Sequence, residues 1–158
     1  MEIREARPDD WTAVAALLAE LGRPDVFAGG DAEQHREAYE AYLQRPDTVA
    51  LVAEDDGAVV GFIDMEYRAR LNFSSPQAWV PDLIVTERAR SHGAGRALLA
   101  AAEERARTRG CFALSLESAN WRGRAHAFYV REGMEHVSAS FIKVLSEEEW
   151  PTQEQREE

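Results

Sequence analysis

A short glycine-rich turn past the middle of the chain has the residue types and spacing of an anion-binding site. The turn consists of Arg90, Ser91, His92, Gly93, Ala94, Gly95 and Arg96. It follows an apolar run, Leu83-Ile84-Val85, and leads into an Ala- and Leu-rich segment with helical spacing. Glycine has no Cβ and lets the backbone approach a ligand closely, and the N-terminus of a helix attracts negative charge. The turn therefore predicts a pyrophosphate site.

Two common phosphate-binding motifs do not fit this turn. A P-loop places Lys and then Ser or Thr after its last glycine, whereas Arg96-Ala97 stands here. A dinucleotide-binding fold has three glycines early in a βαβ unit, with an acidic residue about 20 positions later. Here the third glycine is missing and the turn lies late in the chain. A domain that binds ATP or NAD is therefore disfavoured.

The turn and three further segments resemble the GNAT superfamily of acetyl-CoA-dependent N-acetyltransferases. The spacing R-x-x-G-x-G at 90–95 is similar to the family's cofactor signature. Downstream, the order of the second family motif is matched by Asn120, Ala125, Phe128-Tyr129 and Gly133-Met134. Upstream, residues 3–10 resemble the family's opening strand and first turn, and residues 60–63 resemble its third strand. The resemblance covers residues 2 to about 144.

The resemblance implies an α/β (α+β) architecture, the GNAT acyl-CoA N-acyltransferase fold, whose mixed central sheet contains a splayed parallel strand pair. Hydrophobic periodicity predicts strands near 2–6, 48–54, 58–70, 78–85, 112–117 and 134–145. It predicts helices near 11–21, 31–44, 95–109 and 122–131. Pro81 removes a ladder donor, so we expect a bulge in the strand that contains it. We expect one domain at 1–145 and an acidic, disordered tail at 146–158.

The resemblance also assigns the cofactor-binding residues. The amides of about Ser91 to Arg96 would face the pyrophosphate, with Arg90 adding positive charge, and His92 stands at a variable, exposed position. The backbone of residues 83–85 would bind the pantetheine arm like an added strand and offer an amide to the thioester oxygen. Asn120 would hydrogen-bond the pantetheine or cap the next helix, and Phe128 is assigned to the same cofactor site.

Acetyl transfer to an amine needs a group that takes a proton from the amine. An alkylammonium has a pKa near about 10.4, so almost all of it is charged at neutral pH and a carboxylate must accept a proton. Asp82 is the first candidate, because it matches an acidic position often seen there in the family. Glu117, at the end of a neighbouring strand, is the second. Asp64 and Glu66, on the third strand, are expected to hold a cationic acceptor.

Tyr129 matches the family tyrosine that protonates the departing coenzyme A thiolate. A phenol has a pKa near about 10, close to that of a free thiol, so this proton transfer is feasible. The alternative is a core tyrosine that follows Phe128 on an amphipathic helix. Its place in the second motif favours the catalytic role.

Composition excludes several classes of partner. The net charge of −11 argues against nucleic acid as a ligand, and about half of that charge lies in the tail. We find no apolar run of the roughly 20 residues that span a membrane, and no secretory pattern in the first residues. The single cysteine, Cys111, fits a small packed residue in a reducing cytoplasm. We expect a cytoplasmic protein without a metal, and a homodimer is left open.

We therefore expect an enzyme that moves the acetyl group of acetyl-CoA to a primary amine by direct attack in a ternary complex. The acidic body favours a small cationic acceptor such as a polyamine or an aminosugar. Two alternatives stay open at this point. One is a protein acetyltransferase that acts on N-termini or lysines, and the other is a non-catalytic acyl-CoA-binding regulatory module.

Overall fold

In the computed structural model, residues 1–146 are described, and they contain six strands and four helices. The first of two compact units is Met1–Leu116, and the second begins at Glu117. The first unit contains strands β1 (Glu2–Glu5), β2 (Thr48–Asp55), β3 (Ala58–Arg68), β4 (Gln77–Val80), β5 (Leu83–Val85) and β6 (Ala113–Leu116). It also contains helices α1 (Trp11–Glu20), α2 (Ala32–Gln44) and α3 (Ala94–Arg109), whereas α4 (Gly123–Arg131) belongs to the second unit.

The first unit is built on a mixed sheet in the strand order β1-β2-β3-β4-β6. The pairs β1–β2, β2–β3 and β3–β4 are antiparallel, and β4–β6 is parallel from Gln77 opposite Ala113 to Val80 opposite Leu116. After Val80 the chain continues into β5, whose strand pairing among residues 1–146 is with β3. The sheet therefore opens beyond the parallel pair, which confirms the predicted architecture.

Alternation along β3 directs its side chains to two different layers of helices. Phe62 packs into a buried cluster with residues of α1 and α2, where Trp11 and Tyr39 stack with ring centroids 5.0 Å apart. On the opposite face, the Tyr67 hydroxyl donates to the Arg105 carbonyl of α3 at 3.3 Å. Helix α3 approaches this face closely, because a Cβ on Gly61 would lie 2.9 Å from Leu98 Cδ1. The sheet is therefore covered by α1 and α2 on one side and by α3 on the other.

The prediction of a final strand at 134–145 is wrong, because residues 134–146 contain no strand. Val137, Phe141 and Leu145 expose 80%, 94% and 90% of their surfaces. Alternating apolar residues show that a segment can be extended, but a strand also needs the N–H and C=O groups of a partner. Apart from Ser146, the predicted disordered tail lies outside the described residues.

The start of α2 also differs from the prediction. Asp31 stands at the N-cap position as expected, but its side chain makes no capping hydrogen bond to the helix. Its carboxylate instead lies 3.1 Å from His35 Nε2, one helical turn further on. The predicted capping box is therefore wrong, since a local ion pair takes the side chain that the cap would need.

A buried ion pair ties β1 to the start of α1. Arg4 donates from Nη1 and Nη2 to the two oxygens of Asp10 at 2.8 and 2.9 Å. The amide of Arg7 donates to the same carboxylate at 2.7 Å, and Arg4 Nε donates to Glu54 at 2.6 Å. The hydrogen bonds from Arg4 hold the pKa of Asp10 below its usual value despite its burial. This cluster locks the first turn of the chain against β2.

Replacing Asp10 with Asn should destabilise the protein by about 2–3 kcal/mol at pH 7, because charge-assisted hydrogen bonds are lost. The lowered pKa of Asp10 places this contribution above pH ~4, and it is lost as the pH falls through the folded-state value. Urea unfolding of both proteins at several pH values measures it. The exposed neighbour variant Asp9→Asn is the control and should change little. A difference that grows on acidification would contradict this account.

Candidate active site

A break between β4 and β5 forms the centre of the site. Pro81 and Asp82 separate the two strands, as the sequence predicted from the proline. The amide of Asp64 on β3 donates to the Asp82 carbonyl at 3.1 Å. In return, the amide of Asp82 donates to Asp64 Oδ1 at 2.9 Å. A side-chain carboxylate thus replaces a carbonyl in the ladder, and this holds the bulge in one conformation.

Asp82, the first candidate for the proton acceptor, lies in this bulge and is engaged with an arginine. Arg23 Nε donates to Asp82 Oδ1 at 2.8 Å, and Arg23 Nη2 donates to the Pro81 carbonyl at 3.3 Å. The Asp82 side chain is 18% exposed and that of Arg23 is 46% exposed. Arg23 therefore neutralises Asp82 and clamps the bulge from the solvent side.

Asp64 is the more buried of the two carboxylates, with only 9% of its surface exposed. Burial raises the pKa of Asp64 well above its usual range, and the negative charge of Asp82 raises it further. A carboxylate with a raised pKa is a stronger proton acceptor than an ordinary one. Asp64 is therefore a buried carboxylate with raised proton affinity that lies directly beside the bulge.

Tyr42 on α2 lies beside Asp64. Its hydroxyl oxygen is buried and has no hydrogen-bond partner among residues 1–146. Burial raises the pKa of Tyr42, and the charges of Asp64 and Glu66 raise it further. A buried hydroxyl without a partner costs about 1–3 kcal/mol, so the site gains when a ligand supplies one.

A cavity of about 240 Å³ opens between α1, α2 and β3, with Asp64 and Tyr42 in its wall. Its lining residues are Trp11, Val14, Leu18, His35, Ala38, Tyr39, Tyr42, Phe62 and Asp64. Most of these are apolar or aromatic, and none of these described residues is Lys or Arg. Small-molecule sites have this character of apolar walls with a few polar groups.

This cavity contains only one of the two carboxylates that were expected to hold a cationic acceptor. Asp64, Tyr39 and Tyr42 line it, whereas Glu66 pairs with Arg45 at 3.4 Å. Tyr67 and Phe73 line a separate cavity of about 330 Å³ together with Arg70 and Arg109. The guanidinium carbon of Arg68 lies 3.5 Å from the centroid of the Trp79 ring. The ring centroids of Phe27 and Trp11 are 6.4 Å apart. The sequence pattern indicated Trp11 only as a core position, because helical spacing does not distinguish a core wall from a cavity wall.

The glycine turn has the backbone conformation that an anion cradle requires. Ser91 and Gly93 have φ values of 70° and 85°, and α3 begins directly afterwards at Ala94. A Cβ placed on Gly93 would meet nothing within 4 Å, so the space in front of this backbone is open. The first amides of a helix have no carbonyl partner within it and are available to a ligand. These features fit a pyrophosphate.

The side chains of the turn surround this backbone. Arg90, Ser91, His92 and Arg96 are exposed, Gly95 is half-buried and Ala94 is buried. Arg90 Nε donates to the Val85 carbonyl at 3.3 Å, so its guanidinium lies between the turn and the end of β5. Positive charge is therefore present on both flanks of the cradle.

Strand β5 fits the role expected for residues 83–85. Ile63, Phe62 and Gly61 of β3 stand opposite Leu83, Ile84 and Val85. On its other edge β5 pairs with no strand among residues 1–146. An unpaired edge offers N–H and C=O groups to an extended ligand, and a pantetheine arm has the amides to match them.

The remaining predicted residues, Glu117, Asn120, Phe128 and Tyr129, belong to the second unit. Tyr129 is half-buried on α4, and its ring meets that of Phe128 edge-on at 5.4 Å. Burial raises the pKa of Tyr129, which keeps the phenol protonated at neutral pH. Arg122 stands at the N-cap of α4, so the prediction that Asn120 caps this helix is wrong. Glu117 and Asn120 are exposed.

Comparisons with known proteins agree with this geometry. The model of a family described as "Acetyltransferase (GNAT) family" matches residues 11–134. An aminoalkylphosphonate N-acetyltransferase from Salmonella typhimurium is 32% identical over 144 residues, 91% of either chain. An aminoglycoside N(6')-acetyltransferase type 1 from Klebsiella aerogenes is 32% identical over 111 residues, 66% of this chain and 72% of the relative. The solved aminoglycoside N-acetyltransferase AAC(6')-Iy in complex with CoA has a TM-score of 0.74 at 18% identity, covering 92% of this chain and 99% of that one.

The fold, the open sheet and the family match define the class of this protein. The chain belongs to the GNAT family of acetyltransferases. It is an N-acetyltransferase, as its relatives over most of its length are, and the family uses acetyl-CoA. No helix within residues 1–146 combines the length and apolarity needed to cross a membrane.

Proposed function

We propose that this N-acetyltransferase acts on the primary amine of a small acceptor that carries positive charge, by direct attack in a ternary complex. The observation that carries the proposal is the cavity between α1, α2 and β3, which ends at a buried carboxylate and has no Lys or Arg in its described lining. A cation is stabilised there by Asp64 and by aromatic faces, whereas an anion would meet the negative charge of Asp64.

The acetyl-CoA site follows from the first unit. The amides of Ser91 to Arg96 and the charge of Arg90 hold the pyrophosphate, while the free edge of β5 binds the pantetheine arm. Acetyl-CoA supplies the activated acetyl group when it is bound. A backbone amide of residues 83–85 would stabilise the oxygen that becomes negative during the transfer, as preorganised N–H groups do in other acyl transfers.

Two proton transfers accompany the reaction. The ammonium group of the acceptor gives up a proton to a carboxylate, for which Asp82 and Glu117 are the residues proposed from the sequence. Tyr129 donates a proton to the coenzyme A sulfur. The role is proposed from its place in the second motif; burial raises its pKa, which makes the phenol a weaker acid than one in water. Asn120 and Phe128 are proposed to contact the same cofactor.

The two named relatives acetylate amines of different charge, which makes the acceptor a question of electrostatics. The name of the first specifies aminoalkylphosphonates, which carry an anionic group, and the second specifies aminoglycosides, which are cationic. The net charge of −11 and the lining of the cavity favour the cationic class. A lysine side chain is also an aminoalkyl cation, so a protein acceptor is the runner-up. A cytoplasmic location, a homodimer and one domain at 1–145 stay predictions.

A panel of amines tests the charge of the acceptor. Spermidine and neamine should show higher kcat/KM than 2-aminoethylphosphonate, with a lysine-containing peptide as the protein-like probe. The preference should weaken between 0.01 M and 0.15 M salt, since the screening length falls from ~30 to ~8 Å. Thiol release measures the rate. If the phosphonate is preferred and salt has no effect, the charge argument is wrong.

A charge placed in the turn tests the cradle. Gly93→Asp should weaken acetyl-CoA binding by about tenfold or more, equivalent to about 1.4 kcal/mol, because it puts a negative charge into an anion site. Gly93→Asn is the matched control: it has nearly the same shape without the charge, and Asn tolerates the left-handed backbone found here. Calorimetry gives both affinities. Equal affinities of the two variants for acetyl-CoA would show that the pyrophosphate does not bind at this turn.

Removal of one hydroxyl tests the acid. Tyr129→Phe should lower kcat by about 100-fold or more, since general acid catalysis typically contributes 10²–10⁴-fold. The KM for acetyl-CoA should change by less than about threefold, because the ring and its contact with Phe128 are kept. Steady-state kinetics separate the two constants. Activity within about twofold of wild type would assign Tyr129 to packing alone.

A further inference from the structure

We propose that Asp64, together with the Tyr42 hydroxyl, binds the ammonium group of the acceptor inside the α1–α2–β3 cavity, and that Asp64 rather than Asp82 accepts its proton. This inference rests on the proposed function and specifies how the acceptor is held. It makes Asp64 a catalytic residue and Tyr42 an acceptor-binding residue.

The position of Asp64 is the first argument. Its Oδ1 accepts the amide of Asp82 at 2.9 Å, so the carboxylate is oriented against the bulge and cannot swing away. The carboxylate also lines the cavity, so it faces the acceptor side. Asp82 is at the same bulge, but Arg23 Nε donates to its Oδ1 at 2.8 Å. An arginine-bound carboxylate is a poorer partner for an incoming ammonium group, because its charge is already compensated.

The hydroxyl of Tyr42 is the second argument. It is buried beside Asp64, whose carboxylate interacts with it closely enough to affect its pKa, and it makes no hydrogen bond of ordinary geometry among residues 1–146. An ammonium group has donors for both the carboxylate and this oxygen, and its charge offsets the negative charges of Asp64 and Asp82. The same ligand therefore resolves an unsatisfied hydroxyl and an unfavourable buried carboxylate.

The walls and volume of the cavity are the third argument, and they define the substrate class. Trp11, Tyr39 and Phe62 present aromatic faces, which suit methylene groups and a nearby cation. A volume of about 240 Å³ is small for a ligand site and fits an unbranched aminoalkyl arm. The acceptor is therefore expected to carry its amine on a short, flexible chain, with any further charged groups outside the cavity.

The proton balance of the step is complete with these groups. One ammonium proton passes to Asp64, and the freed nitrogen lone pair forms the C–N bond to the acetyl carbonyl carbon. The C–S bond breaks and the electron pair leaves on sulfur, which takes a proton from Tyr129 to become the thiol of coenzyme A. The nitrogen still carries two hydrogens after the attack, and it releases one of them to solvent, from which Tyr129 regains its proton. The neutral Asp64 carboxylic acid then returns its proton to solvent through the open cavity.

Three variants, each assayed with 1,3-diaminopropane, spermidine and acetyl-CoA, test the assignment. Asp64→Asn should lower kcat/KM for the amines by about 100-fold or more, with the calorimetric affinity for acetyl-CoA unchanged. Tyr42→Phe should raise the KM for the amines several-fold with little change in kcat. Glu33→Gln, which removes an exposed carboxylate from the first turn of α2, is the control and should behave as wild type.

The fold of Asp64→Asn can be checked independently. The pKa of Asp64 is raised in the folded state, so wild-type stability falls as pH rises from about 4 through that raised value. The Asn variant lacks this effect and should melt at the same or a higher temperature at pH 8. If it does not fold, Tyr42→Phe decides, and an unchanged KM for both amines would overturn the assignment.

The outcomes separate this inference from the proposed function. If wild type acetylates an amine and Asp64→Asn stays within about twofold of it, the inference is overturned while the function stands. Asp82→Asn serves as a fourth variant. If it loses activity while Asp64→Asn does not, Asp82 and not Asp64 is the group that accepts the proton. If wild type binds acetyl-CoA but acetylates no amine in the panel, the proposed acceptor class is wrong, and the role of Asp64 falls with it.

Discussion

The reciprocal pair of hydrogen bonds between Asp64 and Asp82 is the constraint on which the rest of the site depends. Because Pro81 cannot donate and Asp82 bonds to a side chain, the strand that begins at Gln77 cannot continue in register with both of its neighbours. It pairs with β6 before the break and with β3 alone after it. The opening of the sheet, the free edge of β5 and the direction of the chain into the glycine turn all follow from this break.

The same interaction places a buried negative charge where it serves the reaction. Desolvation alone would disfavour an ionised carboxylate, and a second carboxylate nearby disfavours it further. The protein tolerates this because Arg23 compensates Asp82 and because a backbone amide bonds to Asp64. The Asp64 carboxylate and the Tyr42 hydroxyl lie in the wall of the α1–α2–β3 cavity, and neither is paired there with a Lys or Arg side chain of the described lining. In the proposed mechanism, this buried negative charge would favour a cationic acceptor over an anionic one.

Much of the fold could be predicted from the sequence, because its signals are local. Pro81 predicted the break between β4 and β5, and the glycine turn predicted at 90–96 leads directly into α3, with a positive φ at Gly93. The failures share one cause. The segment 134–145 has the pattern of a strand but has no strand pairing within residues 1–146, and Asp31 bonds to His35 instead of capping its helix. In both cases the outcome depends on which hydrogen-bond partner lies nearby in the folded chain, and the spacing of residues along the sequence does not reveal that partner.

The sequence by itself determined the class of this protein and the glycine turn before α3, since glycines, a proline and a motif order act through local conformation. Only the tertiary structure decided which carboxylate is buried and which is paired with arginine. Asp64 and Asp82 are 18 positions apart and chemically alike, and both were candidates for contact with the acceptor. Their difference arises from Arg23, 59 positions from Asp82, and from Tyr42 on a helix packed against β3. Burial and ion pairing are properties of neighbours in space, so no reading of one segment could have separated them.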